Sequence, residues 1–125
     1  LNFKTYDEMF TTDVTFEQIA NAIYNLDTAG WAETYDTLKN RVWSGFEDIA
    51  HHCEKNGGGN VLVVSHGLTI GFLLSLIDIH QPVRAGLLNG SVTKVTYEKG
   101  NFSIEGINDI SYIEQGKKHS RDSFL

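Results

Sequence analysis

The clearest periodic signal lies at residues 35–53, where Tyr35, Leu38, Val42, Phe46, Ile49 and Cys53 recur every three or four positions. That spacing gathers side chains on one face of a helix and predicts an amphipathic helix over about 34–55. Glu33 and Asp36 near its start and Lys55 near its end suit the helix dipole, and Gly57-Gly58-Gly59 ends the run. Upstream, Thr15-Phe16-Glu17-Gln18 has the form of a capping box. Phe16, Ile19, Ile23 and Leu26 then follow at helical spacing, predicting a short helix over about 16–26 that stops at Asp27 to Gly30. Residues 1–14 mix aromatic and acidic residues without a period and are read as irregular.

The pattern changes at Val61-Leu62-Val63-Val64, a short run that is apolar at every position and rich in β-branched residues. Such a run predicts a strand buried on both faces, as in a parallel sheet. Ser65-His66-Gly67 follows, and then Leu68 to Ile79, an apolar helical stretch that ends before Pro82. Apolar character on all sides implies that this helix is deeply buried. Two further strand-like runs, Ser91–Tyr97 and Phe102–Ile107, are joined at Lys99-Gly100-Asn101 as a hairpin. Residues 111–125 read as a tail.

The order is therefore α, α, β, α, β, β. The expected class is α/β, a three-layer sandwich with a mainly parallel sheet and helices on both faces. A strand apolar on both faces needs a neighbour at each edge, and the hairpin alone cannot supply both. Either a second copy pairs with it, making the chain a homo-oligomer through unpaired sheet edges, or part of the domain lies outside these residues. The chain opens at Leu1 rather than Met, which favours the second expectation. Residues 1–125 are accordingly read as a single partial domain.

Composition narrows the partners. A chain of 125 residues suits one domain, able to bury roughly two thirds of its unfolded surface. The formal net charge is −6, and the only basic cluster is Lys117, Lys118 and Arg121 near the C-terminus. No basic stripe of the kind that binds nucleic acid is present. No apolar stretch is long enough for a membrane span, and no signal pattern opens the chain. The single cysteine, Cys53, excludes an internal disulfide and favours a reducing compartment, so the cytoplasm is expected.

The candidate chemistry sits where the Val61–Val64 strand turns into a helix. In open α/β folds ligands bind beyond the carboxyl ends of strands. Gly67 permits a tight turn, and the amides of Gly67, Leu68 and Thr69 become helix N-terminal donors suited to an anion. His66 would add charge beside them. The other reading of the same residues is a buried histidine satisfied by backbone groups. His51, His52 and Cys53 are consecutive on a helix and point about 100° apart, so they cannot converge on one ion. No metal and no cofactor is expected.

These residues resemble a known family. Val61-Leu62-Val63-Val64-Ser65-His66-Gly67, followed by an apolar helix, is similar to the second histidine motif of the histidine phosphatase superfamily, which includes the cofactor-dependent phosphoglycerate mutases. Trp31-Ala32-Glu33-Thr34 with Arg41 resembles the family's Gly-Glu-Ser helix start and its arginine. Asn89-Gly90-Ser91-Val92-Thr93 resembles the start of the strand that follows in many members. The resemblance implies a phosphoglycerate mutase-like fold and a two-histidine mechanism. A histidine in an Arg-His-Gly motif attacks phosphorus, and the second, matching His66, donates to the phosphoryl oxygens where charge develops.

This chain contains no Arg-His-Gly, and the upstream arginine motif and acid-bearing loop of the family are also missing. The resemblance thus covers the C-terminal part of the family domain, with one wall of the phosphate pocket and no nucleophile. It implies phosphoryl transfer, or hydrolysis of a small phosphate ester, in a parent protein. The chain alone is expected to be inactive. His66 is the expected catalytic residue, Gly67 and Leu68 the phosphate-binding ones, and Glu33 and Asn89 the pocket edge. The alternative is a non-catalytic phosphate-binding or oligomerisation module.

Overall fold

The computed structural model describes residues 13–80 and 86–123, with the side chains of 121–123 left out. Arg84, in the loop that follows the apolar helix and so a candidate pocket-edge arginine by sequence, lies outside the described residues. The chain divides into two compact units, one running to Gly86 and the other starting at Leu87.

The first unit holds three helices: α1 (Phe16–Leu26), α2 (Tyr35–Lys55) and α3 (Gly67–Ile77). The α1 boundary is set by the capping box read from the sequence. The Gln18 amide donates to Thr15 Oγ1 at 3.2 Å, and the Thr15 amide donates to Gln18 Oε1 at 3.0 Å. Each side chain thus satisfies an amide that the first turn leaves without a partner. Thr34 caps α2 in a similar way, its Oγ1 accepting from the Thr37 amide at 3.2 Å. At the other end the Asn56 amide donates to the carbonyls of His52 and Cys53, and positive-φ glycines 57–59 turn the chain away.

The core of this unit forms where α2 meets α3. Val42, Phe72 and Leu73 are buried together, with Phe16, Tyr35, Leu38, Trp43 and Phe46 packed against them. The Phe72 ring meets Phe16 and Tyr35 edge-to-face at 5.6 and 5.9 Å, the arrangement that ring quadrupoles favour. Gly71 to Leu74 are buried at four successive positions, so α3 is covered on every side, as its composition requires.

The run Val61–Val64 departs from expectation. Residues 60–66 carry no regular secondary structure, and the side chains of Val61, Leu62, Val63 and Val64 are 54, 85, 40 and 89% exposed. A strand exists only through its ladder, and no described residue pairs with this segment. The sheet among the described residues is two-stranded and antiparallel, so the expected mainly parallel sheet is not seen there.

The second unit is that hairpin followed by a helix. Strands β1 (Val92–Glu98) and β2 (Asn101–Asp109) pair from Glu98↔Asn101 back to Val92↔Asp109, with a register irregularity between Val92 and Val95. Lys99 and Gly100 both have positive φ, 51° and 82°. Such a turn matches the twist of the strands it joins. Asn101, read as part of the turn, is the first residue of β2. Inward positions alternate with outward ones, and Tyr97 packs on Phe102 at 4.7 Å.

Residues 111–123, read as tail, form helix α4 (Ser111–Ser123). Its apolar residues are too few to show a period in the sequence. Asp109 Oδ1 accepts from the Ser111 amide at 2.9 Å as the helix begins. Gly90, at φ 79°, sits so close to Ile113 that an added Cβ would meet its side chain at 3.2 Å.

Candidate functional site

His66 is the N-cap of α3, with extended backbone (φ −102°, ψ 149°) and no capping hydrogen bond from its side chain. The first intrahelical bond runs from the Ile70 amide to the His66 carbonyl at 2.9 Å. The amides of Gly67, Leu68 and Thr69 therefore precede the helical ladder and point out of its N-terminus. His66, Gly67 and Leu68 are all exposed. The reading of His66 as a buried, backbone-satisfied histidine is thereby corrected. An imidazole that takes no part in the cap adjoins three oriented donors in sequence, an arrangement able to take an anion.

Glu33 directly precedes the Thr34 cap of α2. Its carboxylate accepts from Arg41 Nε at 2.8 Å to one oxygen and 3.2 Å to the other. The pair is solvent-exposed, with side chains 35 and 62% accessible, so it adds little to stability. Its effect is to fix the direction of Glu33. Among the described residues no hydrogen bond joins Glu33 to His66. Asn89 belongs to the second unit, where it and Gly90 make the turn before β1, closed by the Ser91 amide on the Leu88 carbonyl at 3.1 Å.

A concavity of about 420 Å³ lies elsewhere, lined by Asp48, Ile49, His52, Cys53, Asn56, Gly58 and Val61. It runs along the C-terminal half of α2 to the start of the extended segment. His66 is at the far end of that segment, so this concavity is distinct from the anion-competent helix terminus. Cys53 is only half-buried here, its thiol facing the Gly59 carbonyl at 3.7 Å. Trp31, in the segment that leads to Glu33, is 89% exposed.

One feature beside Glu33 escaped the sequence reading. Asp27, which merely ended a helix in that reading, gathers the amides of the loop leading to Glu33. Asp-Thr-Ala-Gly is a composition in which an Asp side chain commonly bonds to its own turn, and that was the available signal.

Residues 3–110 match the family model of the histidine phosphatase superfamily (branch 1). The match takes in most of the chain, and the chain belongs to that superfamily. Among solved structures, the chain is similar to a phosphoglycerate mutase from Bacillus anthracis str. Sterne, with 32% identity and a TM-score of 0.80. That similarity covers 91% of this chain and 49% of the mutase, so the chain spans about half the length of this relative. The fold is thus α/β and phosphoglycerate mutase-like. No curated protein matches the chain at a significant level. Among the described residues, no helix is long and apolar enough to cross a membrane.

Proposed function

We propose that these 125 residues form the C-terminal portion of a single histidine phosphatase-like domain and build one wall of its phosphate pocket. The parent activity is hydrolysis or transfer of the phosphoryl group of a small phosphate ester through a phosphohistidine. His66 is the second pocket histidine and donates to the phosphoryl oxygens. Gly67 and Leu68 add backbone donors, and Glu33 stands at the edge. The assignment of Asn89 to that edge rests on its sequence setting alone. The attacking histidine comes from residues other than these, since no Arg-His-Gly occurs among them. In that complete domain the Val61–Val64 segment is a central strand of a mainly parallel sheet.

The observation that carries this reading is the end of α3. Its first-turn amides are unclaimed by the helix, and the His66 imidazole beside them is not spent on a cap. Such donors stabilise negative charge that grows on a transferring phosphoryl group.

The test is a titration of the labelled chain with inorganic phosphate, followed by amide NMR. The Gly67, Leu68 and Thr69 signals should move together. His66→Ala should weaken the response about tenfold, the size of one charge-assisted hydrogen bond. The chain alone should not hydrolyse p-nitrophenyl phosphate. Amides that ignore phosphate would overturn the pocket, and strong hydrolysis abolished by His66→Ala would overturn the missing nucleophile.

A further inference from the structure

Between α1 and α2 the chain passes through residues 27–33 without regular secondary structure, so its amides need partners from elsewhere. One side chain supplies partners for three of them. Asp27 Oδ1 accepts from the Ala29 amide at 2.9 Å, and Oδ2 accepts from the amides of Trp31 and Ala32, each at 2.6 Å. Gly30, at φ 71°, gives the left-handed turn that wraps the loop around the carboxylate, a conformation that costs glycine little. The Ala32 amide above all, aided by those of Ala29, Trp31 and Gly30, holds the Asp27 carboxyl below its ordinary range although the group is exposed to water.

The bond to Ala29 closes a short turn directly after α1. The bonds to Trp31 and Ala32 reach further, to the residue that directly precedes Glu33. Beyond Glu33 the backbone is fixed again, by the Thr34 cap. The Glu33 carboxylate itself is gripped by Arg41. Glu33 is therefore held on both sides and at its tip.

We infer that Asp27 is a positioning residue, whose carboxylate fixes the 27–32 loop so that Glu33 meets Arg41 in one orientation at the pocket edge. The role of the edge rests on the pocket reading above; the coupling from Asp27 to the Glu33–Arg41 pair does not. Asp27 touches neither Arg41 nor a substrate and acts through the backbone.

The experiment compares Asp27→Asn and Asp27→Ala with the parent chain by NMR. Asparagine keeps the shape but removes the charge and turns one acceptor oxygen into a donor that faces at least one N–H group. Alanine removes the acceptors without adding a donor, and so serves if the asparagine variant folds poorly. Exchange of the Trp31 and Ala32 amides should quicken about tenfold or more, the scale of losing a charge-assisted bond. The Arg41 Nε–H signal, which reports its bond to Glu33, should also exchange severalfold faster and shift toward its free position. Val42 and Phe72 amides, in the core, should keep their protection. Unchanged Trp31 and Ala32 exchange would overturn the inference. So would faster loop exchange with the Arg41 signal unmoved, since Asp27 would then be a loop cap only. The response of Gly67–Thr69 to inorganic phosphate in the same parent sample judges the pocket separately. Its failure there leaves the Arg41 readout intact.

Discussion

Two stretches of this protein are equally apolar and meet opposite fates. Gly71 to Leu74 in α3 are buried, with Phe72, Leu73 and Leu74 only 3, 4 and 1% exposed. Val61 to Val64, a few residues upstream, are 40 to 89% exposed. The hydrophobic effect favours burial of both. The difference lies in the backbone. A helix closes its own hydrogen bonds and needs only side chains around it. A strand needs another strand at each edge before its faces can be covered. Packing from α1 and α2 was enough to enclose Phe72, and nothing among the described residues is enough for the Val61–Val64 run.

The most disruptive way to probe that contrast is within α3. Leu74→Ala should cost about 2–5 kcal/mol, the range for emptying a well-packed leucine site, and urea unfolding followed by circular dichroism would measure it. A loss below 1 kcal/mol would show that this helix is not the centre of its unit.

The strand should respond in the opposite sense. Leu62→Lys with Val64→Lys should change unfolding stability by no more than about 0.5 kcal/mol, as for exposed positions generally. Any concentration-dependent self-association seen by sedimentation velocity in the parent chain should disappear. A large stability loss would mean that the chain already covers this segment.

The smallest effect sharpens a second contrast, between two irregular segments. The 27–32 loop has a carboxylate to receive its amides, whereas among the described residues no side chain serves 60–66 in that way. Both Asp27 and Asp109 have carboxyl groups lowered from 3.8, chiefly by the backbone amides of Ala32 and Ser111 respectively. A lowered folded value means that the unfolded chain takes up protons first. The stabilisation is therefore complete above the unfolded value of 3.8 and is lost as pH falls through the lower folded values. Thermal unfolding should show a modest drop in Tm beginning near that value. Asp27→Asn should remove its share of the slope. An identical pH profile in that variant would contradict the assignment.

Some of this was legible from residues alone because the determinants are local. Thr15 and Gln18 lie three positions apart and cap each other wherever the helix forms. Tyr35, Leu38, Val42 and Phe46 mark one helical face whatever packs on it. Lys99-Gly100 can close a hairpin without help. The helix start after His66-Gly67 was readable too, since the glycine and the apolar helix are contiguous, and the family membership confirmed the resemblance drawn from these residues. Helix α4 was not readable, because Ser111–Ser123 is mostly polar and shows no periodic apolar face.

The limits of α1 and α2, the turn of the hairpin and the apolar helix after His66 all follow from local sequence. Those outcomes depend on bonds within a few residues, which are available in any surroundings. Only the tertiary structure decided that Val61–Val64 lies bare while Phe72 is enclosed. It also decided that Arg41 turns back to grip Glu33 and that Asp27 collects the amides of the loop between. Burial and long-range pairing depend on which neighbours arrive, and a residue's own chemistry does not specify that.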